Sequence, residues 1–394
     1  MQDSVDIIGA GQAGAQVAQS LRQGGYEGRI RIIGDEASLP YQRPPLSKKF
    51  LLGQMPAESL LLRPAEFYTT QNIELLTSTR VEKIDREARE LVLQNGERLG
   101  YGKLVIATGT RARQVPIPGA DLDGVVTLRS TGDVDAMRDR LASSDNVAII
   151  GAGYIGLEVA AVAKMLGKSV TVIEAQDRPM KRVVSPIISE FYSKLHSGQG
   201  VDLLLETGVQ NLVGDTKVSG VKLSDGREIP AELVLIAVGA VPNTELAEEA
   251  GIEVDNGIVV DGEGQTSDEL IYAAGDCTRF YSERYHASTR MESVQNAIDQ
   301  AKVVAASILG DDVNYDPLPW FWSDQYDIKL QIAGLSSGYD DTRLIGDPEA
   351  RKFCVAYLKQ GQLIAVDSVN FPKSHMMARR VIGQDWNDDL LPTV

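Results

Sequence analysis

Two glycine-rich segments are the first residues whose types and spacing predict chemistry. Each follows a short apolar run, so it predicts a strand, a tight turn and a helix. The glycines of the two G-x-G-x-x-G patterns are Gly9, Gly11, Gly14, Gly151, Gly153 and Gly156. Backbone N–H groups at such a helix N-terminus bind the pyrophosphate of a dinucleotide. One pattern also occurs for packing alone, but two in the same context predict two dinucleotide sites.

An acidic residue closes the strand that follows each glycine pattern. In dinucleotide-binding units an acid about 20 residues after the glycines accepts hydrogen bonds from the adenosine ribose. Glu174 has this position in the second copy, and its charge would repel a 2′-phosphate, so we expect NADH rather than NADPH there. The alternative for Glu174 is a solvated strand end. Asp35 would serve the first nucleotide, with neighbouring Glu36 as the ambiguity.

A duplication along the chain positions both sites. After each glycine pattern come a helix, a β-branched strand, a hairpin turn and an apolar strand. The turns are Asn95-Gly96 and Asp225-Gly226, and the apolar strands cover 103–107 and 233–238. Two βαβ units are therefore predicted. Beyond the linker-like segment 316–319, alternating stretches predict an antiparallel sheet and a further domain.

Composition excludes several functional classes. Lys+Arg 39 against Asp+Glu 55 gives a net charge of −16, which disfavours nucleic-acid binding. Hydrophobic content of 43% and charged content of 24% are typical of globular proteins. The longest apolar run, 233–241, is about half of the roughly 18 residues that a membrane span needs. Val5–Ile8 leads directly into Gly9 without a basic region, so we expect no signal peptide and a cytoplasmic protein.

The cysteines and histidines predict neither a disulfide framework nor a metal site. Cys277 and Cys354 form no C-x-x-C pair. We expect Cys277 to be a buried core residue rather than a nucleophile. His196, His286 and His375 lie far apart without ligand spacing.

The order of several motifs resembles the NADH-dependent ferredoxin reductases of bacterial oxygenase systems, over essentially the whole chain. Besides the first glycine pattern, the motifs are Arg43-Pro44-Pro45-Leu46-Ser47-Lys48, Ala107-Thr108-Gly109, Gly151 to Glu158, Gly275-Asp276-Cys277 and Trp320-Phe321-Trp322-Ser323-Asp324-Gln325. The resemblance implies a glutathione-reductase-like α/β fold with two Rossmann-type dinucleotide-binding domains and a C-terminal α+β domain with an antiparallel sheet. The implied boundaries are an FAD-binding domain at 1–113 and 243–315, an NADH-binding domain at 114–242 and a C-terminal domain at 316–394.

The resemblance also implies FAD and NADH as cofactors and assigns residues to them. The FAD contacts carried over by position are Ala13, Asp35, Lys48, Val81, Arg129, Asp276 and Val294. The motifs and strand ends add, as further cofactor-binding residues, Gly9, Gly11, Gly14, Glu36, Arg43, Ala107, Thr108, Gly109, Gly275, Gly151, Gly153, Ile155, Gly156, Glu174 and Gly239. Alternatives stay open: an ordinary turn for Asp276, a solvated side chain for Arg129, and plain core for Val81 and Val294.

Lys48 and Glu158 are the pair expected to tune the flavin. A cation beside the flavin N5 edge would favour the anionic reduced form, and a buried carboxylate would fix that cation. The alternative for Glu158 is an ordinary helix surface residue. Tyr154 resembles the aromatic lid over the flavin in related reductases, with simple packing as its alternative.

The function implied is hydride transfer from NADH to FAD, followed by transfer of single electrons to a [2Fe–2S] ferredoxin that feeds a monooxygenase or a ring-hydroxylating dioxygenase. Disulfide reductases of this fold carry a Cys-x4-Cys pair early in the FAD domain. Tyr41–Leu52 contains no cysteine, which excludes a thiol relay. The alternatives are an NADH oxidase, whose relatives use one early redox cysteine that is also missing, and an NADH-responsive flavoprotein similar to apoptosis-inducing factor.

Docking of an acidic ferredoxin onto this acidic chain requires a local basic patch, because charges steer encounters over only about 8–10 Å. The residues predicted to form it are Arg290, Lys302, Lys329, Lys373, Arg379 and Arg380. Trp322, or else Trp320, is the expected exit for electrons. A plain core aromatic is the alternative for Trp322.

Overall fold

The computed structural model describes residues 3–393, which form eight α-helices and twenty-six strands. The strands are β1 (Ser4–Ile8), β2 (Arg29–Ile33), β3 (Ile73–Leu76), β4 (Val81–Asp85), β5 (Glu90–Leu93), β6 (Arg98–Gly100), β7 (Lys103–Ile106), β8 (Thr110–Ala112), β9 (Val125–Val126), β10 (Asn146–Ile150), β11 (Ser169–Ile173), β12 (Val201–Leu204), β13 (Val209–Gly214), β14 (Val218–Leu223), β15 (Glu228–Pro230), β16 (Leu233–Ile236), β17 (Ala240–Pro242), β18 (Ile258–Val260), β19 (Ile271–Ala273), β20 (Thr278–Ser282), β21 (Ala287–Thr289), β22 (Trp320–Gln325), β23 (Ile328–Gly334), β24 (Asp341–Asp347), β25 (Lys352–Lys359) and β26 (Gln362–Val369). The helices are α1 (Gln12–Gln23), α2 (Ala65–Thr70), α3 (Thr131–Ser143), α4 (Tyr154–Met165), α5 (Pro186–Gly198), α6 (Glu245–Glu249), α7 (Val294–Leu309) and α8 (Pro372–Val381).

The chain divides into two compact units. The first contains the chain up to Gln42, Ala57–Arg111 and Ala240–Pro317. The second contains Arg43–Pro56, Ala112–Gly239 and the chain from Leu318 onwards. The segment Arg43–Pro56 thus belongs with the second unit, although it interrupts the first in sequence. The finer division into FAD, NADH and C-terminal domains stays a prediction.

The first unit is built on a parallel sheet with the strand order β19-β7-β1-β2-β3. Its central strand β1 is buried along its whole length, in agreement with the apolar residues Val5, Ile7 and Ile8. Helices α1 and α7 belong to one buried cluster with this sheet. α7 is capped at its start by Ser293, whose hydroxyl accepts from the N–H of Asn296, and at its end by Gly310 in the left-handed conformation. Antiparallel β4-β5-β6 completes the repeated part of this unit.

The second unit repeats this plan. Its parallel sheet has the order β9-β16-β10-β11-β12, and antiparallel β13-β14-β15 matches β4-β5-β6. The same hydrogen bond closes both glycine turns: Gly9 N–H donates to Ile33 O and Gly151 N–H to Ile173 O, each at 2.8 Å. The predicted duplication and both hairpins are therefore confirmed, with Gly96 and Gly226 at positive φ in the turns.

The C-terminal part of the second unit is an antiparallel sheet in the order β22-β23-β26-β25-β24, with α8 packed on it. The alternating segments beyond the linker predicted this sheet. Within residues 3–393, no helix has both the length and the apolar character needed to cross a membrane.

Candidate functional site

The glycine turn of the first unit has the shape of a pyrophosphate cradle. A Cβ on Gly9 would lie 2.1 Å from Ala107 O, and one on Gly14 would lie 2.0 Å from Gly9 O. These two glycines are required by packing within the protein. A Cβ on Gly11 would meet nothing within 4 Å, so bare backbone at this position faces space that a ligand can use. The turn therefore fits a dinucleotide pyrophosphate at the start of α1.

The glycine turn of the second unit has the same construction. A Cβ on Gly151 would lie 2.5 Å from Ala237 O, and one on Gly156 would lie 2.1 Å from Gly151 O, whereas Gly153 again faces open space. Gly239 lies just beyond the carboxyl end of β16 at φ 106°, on the edge of the sheet where α/β proteins bind nucleotides. This second turn also fits a dinucleotide.

Glu174 lies at the expected strand end and is already held in place. Its Oε2 accepts from Ala152 N–H at 2.8 Å and its Oε1 from Gln176 N–H at 2.9 Å. A carboxylate has about four acceptor positions, so two remain for ribose hydroxyls. Arg178 is committed elsewhere, because its guanidinium donates to Val184 O and to Ser189 Oγ.

Other predicted FAD contacts in the first unit gather near its cradle. A Cβ on Gly275 would lie 3.0 Å from Cβ of Ala13 and 3.9 Å from that of Ala297 in α7. The Gly275-Asp276 turn and the start of α7, where Val294 lies, are therefore next to the start of α1. Ala107, Thr108 and Gly109 follow β7, beside β1 in the same sheet.

Asp35 and Glu36 follow β2 on the loop next to the first cradle. Asp35 is exposed and Glu36 half-buried, with its Oε2 accepting from Tyr41 OH at 2.6 Å. Thr79 N–H donates to Gly34 O at 2.8 Å, which brings the start of β4, and with it Val81, beside this loop.

The segment Arg43–Lys48 presents a buried ion pair in the second unit. Lys48 Nζ lies 2.7 Å from Glu158 Oε2, and Ser47 Oγ donates to the same oxygen at 2.5 Å. Ser323 Oγ donates to the other oxygen, Oε1, at 2.6 Å. Glu158 is only 4% exposed, so it is not the surface residue that the alternative interpretation required. α4 explains this burial, because every residue from Gly156 to Ala163 is buried.

The two predicted arginines also meet in the second unit. Arg43 Nη1 donates to Arg129 O at 2.7 Å. Asp133 fixes that loop by accepting from the N–H groups of Arg129 and Ser130, both at 2.8 Å, as part of the N-terminal cap of α3.

The aromatic residues form a layer along β22. Tyr154 packs on Phe321 with ring centroids 4.8 Å apart, and Trp320 packs on Trp322 at 5.6 Å. Burial raises the pKa of Tyr154 well above its ordinary value, so its hydroxyl stays protonated. Trp320 and Trp322 are both half-buried. Arg379 lies over the Trp320 ring at 5.1 Å.

The six basic residues predicted for docking differ in their surroundings. In the first unit, Arg290 pairs with Glu292, and Lys302 lies 3.8 Å from Asp299. In the second unit, Lys329 pairs with Asp324 at 2.6 Å. The remaining three residues lie on α8 and are all exposed: Lys373, Arg379 and Arg380. α8 itself contains no acidic residue.

Cys277 and Cys354 are both buried and free. Burial raises the pKa of the Cys354 thiol to about 11 and also raises that of Cys277, so neither is a ready nucleophile. Among residues 3–393, no group of three or more His, Cys, Asp or Glu side chains is arranged to hold a metal ion.

Sequence reasoning missed the residues that complete the buried pair. They are Ser47, Ser323, Gln325 and His196. Three of these, Ser47, Ser323 and Gln325, lie inside motifs that the sequence analysis singled out. His196 carried no local signal, since its partner Gln325 is distant in sequence.

Comparison with known proteins identifies the family. Residues 3–301 match the family described as pyridine nucleotide-disulphide oxidoreductase, and residues 320–390 match the reductase C-terminal family. Rhodocoxin reductase of Rhodococcus erythropolis is 44% identical over 97% of this chain and 90% of its own length.

Two solved structures are similar to this chain over nearly its whole length. The ferredoxin reductase of the CYP199A2 system from Rhodopseudomonas palustris is 46% identical, with a TM-score of 0.94 over 96% of this chain and 93% of that one. The reductase in a covalent putidaredoxin reductase–putidaredoxin complex is 42% identical, with a TM-score of 0.93 over 97% of this chain and 94% of that one. The two glycine cradles, the matched sheets and these likenesses lead to one conclusion: the chain belongs to the pyridine nucleotide-disulphide oxidoreductase family and is an oxidoreductase with the reductase C-terminal domain.

Proposed function

We propose that this chain is an FAD-dependent NADH:ferredoxin oxidoreductase that passes single electrons to a [2Fe–2S] ferredoxin serving a monooxygenase or a ring-hydroxylating dioxygenase. One observation carries the proposal: the segment Tyr41–Leu52 holds Lys48 in an ion pair with Glu158 and contains no cysteine. Electrons that cannot pass to a dithiol must leave the flavin for an external acceptor. The relatives described above, named for rhodocoxin, ferredoxin and putidaredoxin, support a protein acceptor.

We assign one cofactor to each glycine cradle. Gly9–Gly14 in the first unit would bind the FAD pyrophosphate, and Gly151–Gly156 in the second that of NADH, each with backbone N–H groups at a helix start. Glu174, held by Ala152 and Gln176, would accept hydrogen bonds from the NADH ribose.

When bound, FAD supplies the hydride acceptor and the conversion from two-electron to one-electron chemistry. The chain itself supplies fixed charge. Lys48 would place a positive charge next to the flavin, where it favours the anionic reduced form. Because Glu158 is buried and receives three hydrogen bonds, it keeps the ammonium in one place rather than letting a flexible side chain turn to solvent. Tyr154 would cover the ring until nicotinamide enters.

The surface of α8 supports an acidic partner. Its exposed Lys373, Arg379 and Arg380 form a basic strip in a chain whose net charge is −16. An acidic ferredoxin would be steered to this strip. We propose Trp322, or Trp320 beneath Arg379, as the exit for electrons. On the first unit we propose Lys302 as a further contact, because its carboxylate neighbour Asp299 lies 3.8 Å away. Arg290 and Lys329 are paired more closely with carboxylates and contribute less. A cytoplasmic location suits two cysteines that are both free.

Steady-state turnover tests this function. NADH oxidation by the FAD-loaded protein is measured in air with and without a [2Fe–2S] ferredoxin, with cytochrome c as the final acceptor. We expect ferredoxin to accelerate NADH consumption and to carry most of the electrons to cytochrome c. An unchanged rate with all electrons recovered as hydrogen peroxide would instead show an oxidase. Slow flavin reduction by NADH that no acceptor accelerates would show an NADH-responsive flavoprotein.

A further inference from the structure

A line of buried polar side chains leads away from Glu158 through β22 to α5. Ser323 Oγ donates to Glu158 Oε1 at 2.6 Å, and Gln325 Nε2 donates to Ser323 Oγ at 3.2 Å. His196 Nε2 lies 2.8 Å from Gln325 Oε1. Ser323 and Gln325 are two residues apart on one strand, so their side chains project from the same face. The line therefore connects α5 to the Lys48–Glu158 pair.

Each member of this line is removed from water. Ser323 and His196 are 0% exposed and Gln325 is 1% exposed. A buried polar side chain destabilises a protein unless its hydrogen bonds are made. An apolar residue at any of these positions would avoid that cost, so the presence of three polar side chains indicates that they have a functional role.

The hydrogen bonds have only one consistent direction. Ser323 gives its single proton to the Glu158 carboxylate, so its oxygen must accept from Gln325 Nε2. The amide oxygen of Gln325 then accepts, which makes His196 Nε2 a donor. Burial lowers the pKa of His196 and keeps the ring neutral, and this partner selects the Nε2–H tautomer. All three donors point toward Glu158, and bonds in such a series strengthen one another.

Gln325 also decides what the line can do. An amide neither gains nor loses a proton near neutral pH. The line therefore cannot conduct protons from α5 to Glu158. Its effect is to hold the Glu158 carboxylate in place and to polarise the hydrogen bonds that lead to it.

We propose that His196 and Gln325 are positioning residues for the Lys48–Glu158 pair. Through Ser323 they hold Glu158 with Oε1 on Ser323 and Oε2 on Lys48 and Ser47, and thereby fix the direction of the Lys48 ammonium. This rests on the proposed function, in which that ammonium acts on the flavin. Neither residue touches Lys48 or Glu158 directly.

The test measures the flavin midpoint potential and the stopped-flow rate of flavin reduction by NADH in the FAD-loaded protein. His196→Leu removes the donor, whereas His196→Gln keeps an N–H close to the position of Nε2. Gln325→Met removes both hydrogen bonds with little change of size. The matched control is Tyr192→Phe, because Tyr192 lies on the same helix, is 0% exposed, and its hydroxyl has no partner among residues 3–393.

We expect His196→Leu and Gln325→Met to make the potential more negative and to slow flavin reduction about fivefold, the factor that corresponds to one hydrogen bond between neutral groups. His196→Gln should restore both quantities, and Tyr192→Phe should leave them at the wild-type values. If His196→Leu does not fold, Gln325→Met and His196→Gln decide alone.

If the wild-type protein reduces ferredoxin, two outcomes would overturn the proposal. One is an unchanged flavin potential in Gln325→Met, and the other is a His196→Gln variant as impaired as His196→Leu. A wild-type protein whose flavin NADH does not reduce would instead refute the proposed function.

Discussion

Replacing Lys48 with methionine tests the buried ion pair. The change removes the cation from Glu158, which is 4% exposed and keeps only the two serine hydroxyls. Removing one partner of a buried pair costs about 3–5 kcal/mol of unfolding free energy. Because Lys48 is itself 16% exposed and the serines remain, we expect the lower end, about 3 kcal/mol.

A double-mutant cycle separates the pair from each side chain. Glu158→Gln alone removes the negative charge beside the ammonium, which keeps Pro44 O at 3.2 Å as an acceptor. The variant carrying both changes has no buried charge left without a partner. Its loss of unfolding free energy should therefore be smaller than the sum of the two single losses, by about 2 kcal/mol. Urea unfolding of the FAD-loaded protein measures all four forms.

Lys49→Met is the matched control, since Lys49 is the exposed neighbour and its replacement should change stability by less than about 0.5 kcal/mol. Lys48→Met should also lower the flavin reduction potential and slow hydride transfer while FAD stays bound. A Lys48→Met protein as stable as the Lys49→Met control, with an unchanged potential, would refute the reasoning and leave Lys48 as a residue that merely faces solvent.

The remaining predictions concern the cradles, nucleotide choice, a buried acid and docking. Gly153→Ala should fold normally yet weaken NADH binding, whereas Gly156→Ala should destabilise the protein, because its Cβ would lie 2.1 Å from Gly151 O; thermal unfolding and NADH titration distinguish the two, and equal behaviour would contradict the assignment. Glu174→Ser should reduce the preference for NADH over NADPH about tenfold to a hundredfold in kcat/KM; comparable wild-type efficiency with NADPH would contradict it. Burial raises the pKa of Asp367 from 3.8 to about 7 although Tyr357 donates to it. The unfolding free energy that Asp367 contributes is therefore fully present below pH 3.8 and is lost as the pH rises to about 7, by up to about 4 kcal/mol. Asp367→Asn should flatten that loss in thermal unfolding between pH about 4 and 8, and a wild-type slope in the variant would show that other groups cause it. Ferredoxin reduction should slow steeply with salt while ferricyanide reduction barely changes, and Lys302→Glu or Arg380→Glu should raise the KM for ferredoxin alone; insensitivity to both would show that docking occurs elsewhere.

Local patterns predicted the glycine turns and strand ends that we assign to nucleotide binding. The glycines and the acid Glu174 lie within their own turn and strand, so their spacing in sequence is enough to place them. The duplicated order of strands followed from the same reasoning, because each copy repeats the whole pattern.

The completed pair around Glu158 could not be predicted in the same way. Ser47 and Ser323 reach Glu158 only because distant segments pack together, and His196 is connected to it only through Gln325 and Ser323. Even so, α4 offered one signal: a carboxylate in a helix that is apolar on all sides must be buried and therefore paired.

The grouping of Arg43–Pro56 with the second unit has the same cause. Ser47 and Lys48 bond to Glu158, and Phe50 packs under the Arg138 guanidinium at 4.2 Å. Neither contact leaves a trace in local sequence spacing.

An anaerobic titration tests the central claim most directly. The FAD-loaded protein is mixed with excess oxidised [2Fe–2S] ferredoxin and a limiting amount of NADH, and reduced clusters are counted by their visible and paramagnetic resonance signals. The proposed function predicts two reduced ferredoxins for each NADH consumed, with the flavin oxidised again at the end. A flavin that stays reduced beside oxidised ferredoxin would contradict it.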